Sequence, residues 1–159
     1  MTYKRILVPV DGSSTSIKGV QEATKLAGAK GSRLRLLHVV DPHISFNTPE
    51  GGVNFDLVLD ALRRSGKHAL AKAEEHVRRA GARSEAVLVE NFGGRVADAI
   101  VEQAKRWRAD LIVMGTHGRR GVNRLLLGSD AELVVRYSPV PVLLVPARGR
   151  AVARRRARR

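Results

Sequence analysis

The sequence predicts an α/β fold: a three-layer sandwich with a five-stranded parallel sheet in the middle. Three observations lead there. Five short runs are almost continuously apolar and rich in Val, Ile and Leu, as strands covered on both faces must be. The segments between them repeat apolar residues at the helical period. The two kinds alternate along the 159 residues as β-α-β-α-β-α-β-α-β, which implies parallel strands joined by right-handed helical crossovers.

The first strand is RILVPV, residues 5–10. After the serine-rich SSTS, Ile17, Val20, Thr24 and Ala27 follow a 3.6 period on the first helix. LRLLHVV, residues 34–40, is the second strand. Residues 41–55, DPHISFNTPEGGVNF, form one long irregular connection. The stripe Val58, Leu62, Ala69, Ala73 and Val77 marks the second helix, with Gly66 as its weak point. EAVLVE, residues 85–90, is the third strand, and Val96, Ile100, Ala104 and Trp107 mark the third helix. DLIVMG, residues 110–115, is the fourth strand. Ala131, Val134, Val135 and Ser138 mark the fourth helix, stopped by Pro139. PVLLV, residues 141–145, completes the sheet. There is no internal repeat, so residues 1–147 read as one domain and 148–159 as a basic tail.

Half of the formal net charge of +14 sits in that tail, RGRAVARRRARR, which has seven arginines and no acid. It has little to bury and repels itself, so disorder is expected. It could add nonspecific, salt-sensitive contact with nucleic acid or acidic lipid, or be only a solvated terminus. Cysteine is absent, which excludes disulfides, thiol chemistry and zinc–cysteine sites. No apolar run approaches the roughly 20 residues that span a bilayer. MTYKRILVPV enters a strand pattern without a signal peptide's apolar stretch, so the expected location is cytoplasmic.

The chemistry-bearing stretch is GTHGRRGVNRLLLGS, residues 115–129, between the fourth strand and the fourth helix. Doubly wound sheets bind ligands at the carboxyl ends of strands, where the strand order reverses. The spacing is Gly115-x2-Gly118-x9-Gly128-Ser129. Gly115 and Gly118 would let the backbone approach a ligand and permit positive φ. Gly128-Ser129 would open a helix whose free N–H groups and dipole attract phosphate. Arg119, Arg120 and Arg124 raise the local positive potential. A second reading stays open on spacing alone. Ser129-Asp130-Ala131-Glu132 also fits a capping box, and Gly115 also fits a simple strand-ending turn. No Walker loop occurs, and no G-x-G-x-x-G follows the first strand. The histidines at 38, 43, 68, 76 and 117 lack zinc-ligand spacing, although His117 could donate to a phosphate.

On these residues the chain resembles the ATP-binding subclass of the universal stress protein family, which carries G-x2-G-x9-G-[ST] after its fourth strand. The resemblance runs over residues 3–146 through ILVPVDGS, LLHVVD, ADLIVMGTHGR, LLLGSDAELVVR and SPVPVLLV. The arginine tail lies outside it.

The resemblance implies a Rossmann-like, nucleotide-binding architecture with ATP as ligand. It places Pro9, Val10 and Asp11 against the nucleotide, with Asp11 near the ribose or, through water, a magnesium or manganese ion. Asp11 before Gly-Ser-Ser also fits a purely local turn. Val39 matches the position whose backbone recognises adenine, its side chain being a core valine. Met114, Gly115 and Gly118 match ribose and phosphate contacts, with Arg119 beside them; Gly128 and Ser129 match the terminal phosphate contacts. Asp130 departs from the small or apolar residue expected there. The helix dipole favours it, but turned inward it would repel phosphate. Strand five, 141–145, would pair two subunits into a homodimer, covering an otherwise hazardous apolar edge.

The leading functional expectation is a nucleotide-dependent stress-response or signalling module with at most slow ATP hydrolysis. No nucleophile–base–acid set argues for a dedicated hydrolase. One alternative is an adenine-nucleotide-using enzyme, but H-x-G-H and S-G-G-x-D-S are both missing. Another is a stress protein that binds nucleic acid through its tail. Only 4% of the residues are aromatic, without the pattern of a stacking platform.

Overall fold

The computed structural model describes residues 3–27, 31–42, 54–116 and 127–146. The elements are β1 Arg5–Pro9, α1 Ser14–Ala27, β2 Arg33–Val40, α2 Phe55–Arg79, β3 Ser84–Glu90, α3 Val96–Trp107, β4 Leu111–Gly115, α4 Ser129–Tyr137 and β5 Val142–Val145. The strands form one sheet in the order β3-β2-β1-β4-β5. All pairings are parallel. The chain works outward from β1 to β3, then crosses back and works outward through β4 and β5. The order therefore reverses between β1 and β4.

Side chains alternate across each strand, and both faces of the inner strands β2, β1 and β4 are covered, the edge strands β3 and β5 less so. Ile6, Val8, Leu34, Leu36 and Val113 pack with Val20, Ala23, Leu70, Ala73 and Val77 on the α1/α2 side. Leu7, Leu37, Ile112 and Met114 pack with Ile100, Ala104, Ala131 and Val134 on the α3/α4 side. This double cover is why the strands read as continuous apolar runs. The α/β class and the parallel sheet stand as predicted, with strand ends shifted by a residue or so.

The helical stripes need adjustment. The buried line of α2 runs through Leu59, Gly66, Ala69, Leu70, Ala73 and Val77, while Val58 and Leu62 are half-buried. Gly66 gives up helix propensity for a seat: a Cβ there would come 2.4 Å from Cδ2 of the buried His38 ring. On α4, Ala131 and Val134 are buried, but Val135 is 47% exposed and Ser138 lies beyond the helix as its C-cap. The short helix turns Val135 away from the sheet. No helix among the described residues is long and apolar enough to cross a membrane. The tail, residues 148–159, lies outside the described residues.

Candidate functional site

A cavity of about 610 Å³ opens at the carboxyl ends of β1, β2 and β4, where the strand order reverses. Its size is that of an ordinary small-molecule site. Pro9, Val10, Asp11 and Met114 line its middle. Val39, Asp41 and the segment Gly94–Val96 line it on the β2/β3 side, and Thr116, Gly128, Ser129 and Asp130 on the β4 side.

Asp11 makes the local turn that its sequence also allowed, and it stands in the cavity wall. Its Oδ1 accepts the Ser13 N–H at 2.8 Å, making the turn into α1. Ser13 carries the turn forward by accepting the Ser16 N–H on its Oγ at 3.1 Å. Val39 is half-buried, and its side chain packs on the α3/α4 core while the residue reaches the cavity. Met114 and Gly115 end β4 in the cavity wall, both buried.

Gly115 is a glycine for a reason the motif did not supply. It is not among the positive-φ glycines of the described residues, which are Gly12, Gly31, Gly81 and Gly94. A Cβ at 115 would meet the Thr15 main chain at 2.9 Å, so the first turn of α1 dictates the residue. The capping-box expectation is also corrected. Gly128, at φ −63° and ψ 148°, is the N-cap, and Ser129 is the first helical residue. The Gly128 N–H is held by the Thr116 carbonyl at 2.9 Å, which sets this register. Glu132 then lies too far along to reach back, and its carboxylate meets Arg136 at 3.2 Å. Gly128 has no side chain with which to cap α4, so among the described residues the cap is backbone, and the first turn opens on the cavity. Asp130 is exposed in that first turn and lines the cavity. His117, Gly118, Arg119, Arg120 and Arg124 lie outside the described residues.

Five lining residues with polar side chains carried no functional expectation: Ser16, His38, Asp41, Arg95 and Thr116. Gly94, at φ +101°, swings Arg95 to the cavity rim, and Asn91 Nδ2 holds the Gly94 carbonyl at 3.1 Å. The Arg95 guanidinium pairs with Asp98 at 3.1 and 3.3 Å. That pairing, reinforced by the Arg95 N–H, holds the Asp98 carboxyl below its ordinary pKa. His38 is buried, and its Nδ1–H donates to the Val10 carbonyl at 2.7 Å. The available sequence signal was a polar residue at a buried position of a strand. Among the described residues, no group of three or more His, Cys, Asp or Glu could hold a metal ion.

Fold and crevice together define a doubly wound, Rossmann-like α/β protein with a ligand-sized opening at its switch point. The chain belongs to the universal stress protein family, whose model matches residues 2–146. It is 36% identical over 143 residues to universal stress protein MJ0531 of Methanocaldococcus jannaschii, covering 90% of this chain and 82% of that one. The solved structure of MJ0577, a universal stress protein of the same organism, superposes with a TM-score of 0.79 at 25% identity, covering 94% of this chain and 100% of that one. The universal stress protein of Archaeoglobus fulgidus solved in complex with dAMP gives a TM-score of 0.66 at 26% identity, covering 91% and 99%.

Proposed function

We propose that this chain binds adenine nucleotides, ATP above all, and acts as a nucleotide-dependent stress-response or signalling module with at most slow hydrolysis. The observation that carries the reading is the backbone-only cap of α4, opening on the same cavity as Val39 and Asp11. Three kinds of group suit three parts of a nucleotide. Main-chain groups of Val39 suit a base edge, and the Asp11 carboxylate suits a ribose hydroxyl. The first turn of α4, which starts at Ser129 behind the Gly128 cap, suits phosphate. The relative in complex with dAMP supports an adenine ligand. Gly118 and Arg119 enter through the motif alone. A magnesium or manganese ion would come with the nucleotide's phosphates, with Asp11 as the carboxylate assigned to it.

Calorimetric titration with ATP, ADP, AMP and GTP, with and without magnesium, tests this. Gly128→Val is the companion variant, because its extended backbone accepts a branched residue. Adenine nucleotides should bind and GTP should not, and the variant should weaken ATP at least about tenfold, roughly the cost of lost charge-assisted bonds. Equal ATP affinity in both proteins would overturn the reading.

We also propose a homodimer through β5. This strand is at the sheet edge with Leu143 40% exposed, and Val135 and Tyr137 are exposed on the adjoining α4. A dimer by light scattering at micromolar concentration, converted to monomer by Leu143→Lys, is expected. A monomeric wild type counts against it.

A further inference from the structure

The ladder between β1 and β2 stops one rung early, and a side chain takes the place of the missing rung. The Arg33 N–H bonds the Lys4 carbonyl at 2.8 Å, and the Val10 N–H bonds the Leu37 carbonyl at 2.8 Å. In that register the next rung would be the Val39 N–H to the Val10 carbonyl. Among the described residues this rung is not made. The Val10 carbonyl instead takes its proton from His38 Nδ1 at 2.7 Å.

The ring is held in that position. His38 is 7% exposed, and it lies against α2 where residue 66 has no side chain. A Cβ there would come 2.4 Å from Cδ2 and 2.8 Å from Nε2. Gly66 therefore gives up helix propensity to seat an imidazole from a neighbouring strand. Val10, His38 and Val39 all line the cavity.

We infer that His38, seated on Gly66, is a positioning residue for base recognition: it occupies the Val10 carbonyl and so leaves the Val39 N–H for an acceptor nitrogen of a bound adenine. The inference rests on the adenine-nucleotide reading of this cavity. The Val39 N–H lies on the edge of β2 that faces β1, so the acceptor it lost must be replaced by water or by a ligand.

Four full-length proteins test it: wild type, His38→Leu, His38→Asn and Gly66→Ala. Two readouts are used: amide hydrogen exchange at Val39 by NMR, and affinity for AMP against ribose 5-phosphate. In the wild type without ligand, the Val39 amide should exchange faster than the Leu37 amide and slow down on adding AMP. His38→Leu cannot donate, so the Val10 carbonyl should take the Val39 N–H. Exchange should then slow without ligand, and AMP affinity should fall about fivefold to tenfold, the worth of one hydrogen bond. Ribose 5-phosphate, which has no base, should bind unchanged. His38→Asn keeps a donor at a similar reach and should restore both readouts. Gly66→Ala displaces the ring while leaving the imidazole in the chain, and should behave as His38→Leu does. It also keeps the test alive if His38→Leu does not fold. Wild-type exchange and AMP affinity in both His38→Leu and Gly66→Ala would overturn the role of His38. A wild type that binds no AMP would overturn the ligand reading instead, which the exchange comparison without ligand distinguishes.

Discussion

The first turn of α1 rests directly on the main chain of Gly115: a methyl group at 115 would stand 2.9 Å from both the carbonyl carbon and Cβ of Thr15. The helix and the end of β4 are thus in backbone contact beside the crevice. Gly115→Ala should destabilise the protein by about 1–3 kcal/mol, the usual range for overpacking. Gly19, one turn further along the same contact, has ordinary room, since its Cβ would lie 3.5 Å from the Gly115 nitrogen. Gly19→Ala should be neutral or gain up to about 1 kcal/mol of helix propensity. Denaturant unfolding of both variants checks the contrast, and a Gly115→Ala as stable as wild type would show that the contact relaxes freely.

Glu90 at the end of β3 receives Arg63 from α2 at 2.6 and 3.0 Å, and Arg63 also meets Asp60. The Arg63 hydrogen bonds hold the Glu90 carboxyl below its ordinary pKa. A depressed carboxyl pKa adds stability above the unfolded value, about 4.3, and loses it as pH falls through the lower folded value. Glu90→Gln should therefore lower stability at pH 7 and flatten the acid limb below about pH 4.3. Chemical denaturation at pH 7, 4 and 3 measures this, and parallel curves for variant and wild type would contradict it.

Trp107, the single tryptophan of the sequence, lies under the Arg35 guanidinium, 4.6 Å from ring centroid to Cζ. Glu85 holds the same guanidinium at 3.0 Å. Arg35→Met should change the Trp107 emission and cost up to about 1 kcal/mol, as expected of a partly exposed cation–π pair. An unchanged spectrum would mean that the stacking does not persist in solution.

Asp130 puts a carboxylate in the first turn of α4, at the rim assigned to phosphate. Asp130→Asn should raise ATP affinity more than AMP affinity, because repulsion grows with phosphate charge. The same change should lose about 0.3–1 kcal/mol of helix-dipole stabilisation. The affinity gain should shrink at high salt. An equal change for ATP and AMP would argue that the carboxylate faces away from the ligand.

How much of this could be read beforehand depends on the distance over which each signal acts. Strands buried on both faces announce themselves locally, so RILVPV and DLIVMG gave β1 and β4 with small errors at their ends. That Asp11 and Gly128 line one cavity followed from topology, since parallel crossovers bring strand ends together. The His38–Gly66 seat could not be read, because it joins two elements 28 residues apart in the chain and neither period registers a contact between them. Ser129-x-x-Glu132 looked like a cap because the pattern is local. The bond from the Gly128 N–H to the Thr116 carbonyl, made across the loop, moved the helix start by one residue. Arg95 escaped notice for the same kind of reason: only the left-handed turn at Gly94 brings it to the rim.

The two halves of the sheet meet along a narrow seam, where β1 and β4 are registered at only two positions, Ile6 with Leu111 and Leu7 with Ile112. On the proposed reading, a nucleotide reaching from Val39 to Ser129 would straddle that seam and fasten one half of the molecule to the other. Occupancy would then be broadcast as cohesion: a stiffer, harder-to-open body, legible to any partner that grips both flanks, without either flank changing shape.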